Sequence, residues 1–198
     1  MVRKFAYIGV VCAGMLAGAS ANAGVIGFQV TLDGDINVPT ITLVNQSDTA
    51  SITNFMMTIG NTGFNWDAVI NVVNPAGGGS VLNMPDSDTS GGARSNVIDI
   101  DFSGFNPLLF ASFDGDVDID SADTSEDFRA VLFNNGGAPN SHVLVSFSNG
   151  LSLGLDLPDG PSGLTSYTFS ASQDVPVPAG AALMFGGLVG LTWLRRRG

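Results

Sequence analysis

Between residues 24 and 174 apolar and polar residues alternate with a period of two, the pattern of strands with one buried and one wet face. Ile26, Phe28, Val30 and Leu32 alternate with Gly27, Gln29 and Thr31. In a second segment Phe64, Trp66, Ala68, Ile70 and Val72 share one face, opposite Asn65, Asp67 and Asn71. Ile98, Ile100 and Phe102 alternate with Asp99 and Asp101. Shorter runs of the same kind cover 36–45, 51–59, 108–113, 127–134, 142–148, 151–157 and 165–171. Asp33-Gly34, Gly60-Asn61, Pro75 to Ser80, Asn134 to Pro139, Asn149-Gly150 and Asp159 to Gly163 supply turn residues between them. About ten short strands of this kind predict an all-β body, a single antiparallel β-sandwich or jelly roll. No stretch of the body sustains a 3.6-residue period with caps, and residues 83–95 read as a surface loop.

Charge narrows the possible partners. The 151 residues from 24 to 174 hold all 18 acids of the chain, 17 of them Asp, against two bases, Arg94 and Arg129, a formal charge of −16. Nucleic acid is excluded as a partner, because its binding requires Lys and Arg to neutralise phosphates. The same excess keeps an exported protein soluble while opposing its compaction.

Asp114, Asp116, Asp118 and Asp120 stand at every second residue, followed by Asp123, Glu126 and Asp127. In an extended chain, carboxylates two apart share a face at about 6.5–7 Å. Each such pair repels by roughly 0.6 kcal/mol in water, and more where partly buried. A Ca²⁺ ion, which takes six to eight oxygens, would turn that repulsion into a binding site. Asp116, Asp118, Asp120 and Asp127 match positions 1, 3, 5 and 12 of a calcium loop, with Asp114 and Asp123 adjacent. Ser121 stands where that loop has Gly, Asp127 where it has Glu, and no helical pattern flanks it, so the EF-hand fold is excluded. Two readings stay open here, a calcium loop and a solvated acidic face.

Catalytic signatures are lacking. The lone histidine, His142, opens a strand beside Ser141, with no Gly-x-Ser-x-Gly elbow anywhere. Among 17 Asp a carboxylate pair of the glycosidase kind arises by chance, so it carries no information. Trp66 is the body's one tryptophan and falls on a strongly alternating strand, which favours a core position over a sugar-stacking one. The expectation is a non-catalytic structural or adhesive domain, with a carbohydrate-binding or glycoside-processing module as the alternative.

Both ends of the chain read as addresses. Arg3 and Lys4, the apolar stretch Phe5–Gly18 and the small-residue triplet Ala21-Asn22-Ala23 make up a secretory signal over 1–23. Signal peptidase is expected to cut after Ala23 and leave Gly24 first. Cys12 departs with the leader, so the mature chain has no thiol and no disulfide. Residues 175–198 fall into three parts. Val175, Pro176, Val177, Pro178 and Ala179 form a stiff, non-helical motif. Ala179–Leu194 is an uncharged run of 16 residues, about 24 Å as a transmembrane helix, and Arg195, Arg196 and Arg197 follow it. The arginines hold that end on the cytoplasmic side of the inner membrane and leave the body outside.

This tail resembles the PEP-CTERM class of bacterial sorting signals, and more closely its VPLPA variant, with Val177 where the variant has Leu. The resemblance implies recognition by an exosortase, a membrane-embedded transpeptidase-like enzyme, at Val175–Ala179. It also implies a Gram-negative host, transient residence in the inner membrane, and delivery to the cell surface or to a matrix of extracellular polysaccharide. A plain inner-membrane anchor is the other reading of the same residues.

Overall fold

The computed structural model describes residues 22–34, 36–83, 95–119, 124, 126–134, 137, 139–160 and 165–176. Most of the leader, the basic tail, Val177–Ala179, Asp120 and Asp123 lie outside the described residues. Among the described residues no helix is long and apolar enough to cross a membrane.

Ala23–Val175 forms one compact unit. Its strands are β1 (Asn22–Gly34), β2 (Pro39–Asn45), β3 (Ile52–Thr58), β4 (Phe64–Val73), β5 (Ser80–Asn83), β6 (Val97–Phe105), β7 (Phe110–Ile119), β8 (His142–Phe147), β9 (Ser152–Asp156) and β10 (Ser166–Pro176), with one short helix, α1 (Phe128–Leu132), between β7 and β8. They build two five-stranded sheets, ordered β10-β1-β2-β7-β4 and β5-β6-β3-β8-β9. The two antiparallel sheets make the body an all-β sandwich.

The alternating residues fill the space between the sheets. Ile26, Phe28, Val30 and Leu32 of β1, Ile41 and Leu43 of β2, and Phe113 and Val117 of β7 are buried. They face Phe55 and Met57 of β3, Ile98 and Ile100 of β6, and Val143 and Val145 of β8. Phe55 and Phe113, one from each sheet, meet edge to face at 5.7 Å. Each such aliphatic or aromatic side chain contributes about 1.5–3 kcal/mol of burial.

Three departures from simple alternation have local causes. In β3 the buried positions jump from Ile52 to Phe55, because a bulge between Ile52 and Asn54 shifts its register with both β6 and β8. In β6 they jump from Phe102 to Phe105 across Gly104, whose φ of 64° lies in the left-handed region that favours glycine. In β4, Asn65 to Val69 are all buried, and its register with β7 slips twice, so the expected single apolar face is lost.

Residues 127–134, expected as a strand, are instead built around α1. Phe128, Val131 and Leu132 fall at i, i+3 and i+4 and are buried together, which only a helical turn achieves here. The turn is held in place by Phe128 N–H donating to the Ile36 carbonyl (2.7 Å) and Ser141 N–H donating to the Leu132 carbonyl (2.9 Å). Phe133 then packs on Tyr167 of β10, with ring centroids 4.6 Å apart.

Candidate functional site

Strand β7 carries the acidic run, and its partners orient it. Phe113, Gly115 and Val117 face the core, so Asp114, Asp116 and Asp118 share the opposite side, as the period of two requires. Gly115 is needed there: a Cβ would stand 2.8 Å from the Trp66 ring. Trp66 is thereby buried in the core, 4% exposed, and has no face free for a sugar.

The carboxylates do not act as one group. Asp114 Oδ1 accepts from Thr40 Oγ1 at 2.6 Å, and its Oδ2 accepts from Asn71 Nδ2 at 2.7 Å. Asp118 is fully buried and accepts from the Thr124 amide at 2.8 Å. Asp127 is the N-cap of α1: its Oδ1 accepts from the Arg129 amide at 3.0 Å and from Arg129 Nε at 2.7 Å, and its Oδ2 accepts from Arg129 Nη2 at 2.7 Å. Both oxygens at the expected twelfth calcium position are therefore engaged by a guanidinium. Among the described residues, no three acidic or histidine side chains converge on a common ion position.

The Arg129 guanidinium holds the Asp127 carboxyl below the ordinary carboxylate range, outweighing partial desolvation. An acid with a lowered folded value stabilises the fold above its unfolded value of about 3.9, and that contribution fades as pH falls through the folded value. Asp127→Ala should therefore cost about 1–2 kcal/mol at pH 7, mostly as a lost cap, since the ion pair is partly exposed. The difference from the wild type should shrink in acid. Thermal melts at pH 7 and near pH 3 check both the cost and its sign.

His142 Nδ1 lies 2.6 Å from Asp156 Oδ1, across the β8–β9 pair. The pair stands on the outer face of its sheet, with the carboxylate side chain 85% exposed. Ser141, next to His142 in sequence, is buried. Among the described residues the Ser141 hydroxyl makes no hydrogen bond to His142 or Asp156.

The two expected addresses adjoin the body in sequence at β1 and β10. The expected leader junction, Ala23–Gly24, falls inside β1, and Val175 and Pro176 are the last residues of β10. The strands are neighbours in their sheet. Ala21, Val177–Ala179 and Arg195–Arg197 lie outside the described residues.

One buried polar residue was invisible in the sequence pattern. Asn45, at the end of β2, donates through Nδ2 to the carbonyls of Ala50 and Phe105, both at 2.9 Å, and accepts from the Ser47 amide at 3.0 Å. It thereby ties the end of one sheet to β6 of the other.

No family model matches the chain, and no curated protein matches it. Among solved structures, it is similar to an uncharacterized protein from Nocardia farcinica described as having an immunoglobulin-like fold. The two are 16% identical, over 71% of this chain and 95% of the other, with a TM-score of 0.37. A likeness that distant carries no argument about activity.

Proposed function

We propose that this chain is an exported bacterial surface or matrix protein, sorted by an exosortase-type enzyme, whose β-sandwich serves a structural or adhesive role without catalysis. The leading observation is the order of features at the C-terminus: a proline motif, an apolar span and three arginines, following directly on the last strand. An N-terminal leader supplies the export step that such a tail presupposes. The sandwich between them supports a non-catalytic role through its exposed His142–Asp156 pair, its dispersed carboxylates and its buried tryptophan. Its charge excess suits a body that must stay soluble outside the cell.

In this reading the chain enters the inner membrane by its leader and is held there by Ala179–Leu194. It is then cut near Pro178-Ala179 and leaves for the surface. The termini of the exported chain test it, since each processing step leaves its mark there. A chain running from Gly24 to about Ala179 is expected, and one still carrying residues 180–198 contradicts the sorting step and leaves a plain membrane anchor.

A further inference from the structure

The start of β1 is clamped against the turn that follows β2. Val25 N–H donates to Asp48 Oδ2 at 2.8 Å, and Asp48 N–H donates back to the Val25 carbonyl at 2.9 Å. The turn is joined to β1 at two further points: Gln46 N–H donates to the Gly27 carbonyl at 2.9 Å, and Gly27 N–H donates to Ser47 Oγ at 3.1 Å. Gly24 lies directly against the Asp48 carboxylate, since a Cβ built on it would stand 3.4 Å from Oδ2. Its φ of 122° is one that glycine alone adopts without strain.

The other side of this corner is β10. Thr31 and Thr168 share a hydroxyl–hydroxyl hydrogen bond of 3.0 Å, and Gly34 N–H donates to the Thr165 carbonyl at 3.2 Å. These contacts set β10 antiparallel to β1, in a register that, continued, places Asp174 opposite Val25 and Val175 opposite Gly24. Asp48 lies against Gly24, and Asp174 is placed opposite the next residue, Val25, in a body with only two arginines and no lysine.

We propose that Asp48 is a capture site for the α-ammonium of the mature protein. This rests on leader cleavage after Ala23. Hydrolysis adds water across the Ala23–Gly24 amide: Ala23 departs as a carboxylate, and the Gly24 nitrogen becomes an ammonium. Before the cut that nitrogen is a neutral amide with no charge to pair. After it, rotation about the Gly24 ψ bond swings the ammonium onto the Asp48 carboxylate, whose Oδ1 has no partner among the described residues. The mature body gains a third cation at the start of β1, so leader removal adds an ion pair to a corner already held by the Val25–Asp48 hydrogen bonds.

Lys4 is the sole lysine and leaves with the leader, so the α-amine is the one primary amine of the exported chain and acylation reports on it alone. Exported wild-type protein, Asp48→Asn and a chain with Ala-Ser inserted between Ala23 and Gly24 are treated with an amine-acylating reagent at pH 7. Asparagine keeps an oxygen for Val25 N–H while removing the charge. Wild type should react about two- to fivefold more slowly than Asp48→Asn, the scale of an exposed ion pair, and the gap should narrow in high salt. The insertion variant, which retains Asp48, should react at the faster rate. Equal rates for wild type and the insertion variant, with Gly24 verified as the wild type's first residue, overturn the capture site. A different first residue overturns the leader reading instead, and the capture site with it.

Discussion

Asn45→Asp should be among the most damaging single substitutions in the body, costing about 3–5 kcal/mol at neutral pH. Asn45 is fully buried, and its amide nitrogen satisfies two carbonyls, those of Ala50 and Phe105. A carboxylate has the same shape but no donor, so both carbonyls lose their partner and face a buried negative charge. An unsatisfied buried group costs about 1–3 kcal/mol, and two of them take a large share of a stability of about 5–15 kcal/mol. The loss should depend on pH in a direction that follows from the chemistry. Protonation gives the new side chain one O–H donor, so its folded pKa stands above the unfolded value of about 3.9. The deficit therefore grows as pH rises between those two values and is smallest in acid. Urea midpoints at pH 4.5 and 7.5 check this; a pH-independent midpoint difference would show that the side chain does not bridge those carbonyls.

Replacing Pro176 and Pro178 together by alanine should hold the chain at the membrane. Under the proposed sorting, each proline fixes φ, so that the processing enzyme would meet a peptide with little left to order. Proline's advantage over alanine, about 0.4–1 kcal/mol per site, amounts over two sites to roughly 4- to 30-fold slower processing from preorganisation alone. Lost direct contacts with the prolines would add to that. The body should be untouched, because Pro176 is the last residue of β10 and Pro178 lies beyond it. Pulse-chase fractionation reads the result as the time the chain spends in the membrane fraction. Unchanged release, with an unchanged body melt, would remove the motif from any role in processing.

Much of the sandwich was legible because burial on one sheet face writes itself into sequence as a period of two. Ile26 to Leu32 and Ile98 to Phe102 fall inward as their spacing requires. The pattern fails where the backbone spends an extra residue. Nothing in Ile52-Thr53-Asn54-Phe55 announces a bulge, which shows only in the register with β6 and β8. The helix α1 carried a readable signal, Asp127 ahead of Phe128, Val131 and Leu132, but one turn is too short to stand out from alternation. Strand β5 has four residues and was hidden among turn and loop signals.

The acidic run shows the limit most clearly. That Asp114, Asp116 and Asp118 share a face followed from spacing alone. Their partners did not: Thr40, Asn71 and Thr124 reach them from other parts of the chain. Asp127 matched a calcium position by counting, yet its nearest strong partner was two residues away, in Arg129. Asn45 gave no signal at all, since an asparagine at the end of a strand reads as an ordinary turn residue.

The most direct test of the whole account is the intact mass of the chain recovered from the cell surface or medium, beside that of the membrane-bound form. Two species are expected: a membrane form from Gly24 to Gly198, and a released form that begins at Gly24 and lacks residues 180–198. A released form retaining that segment, or a chain found only in the membrane with its tail intact, would contradict it.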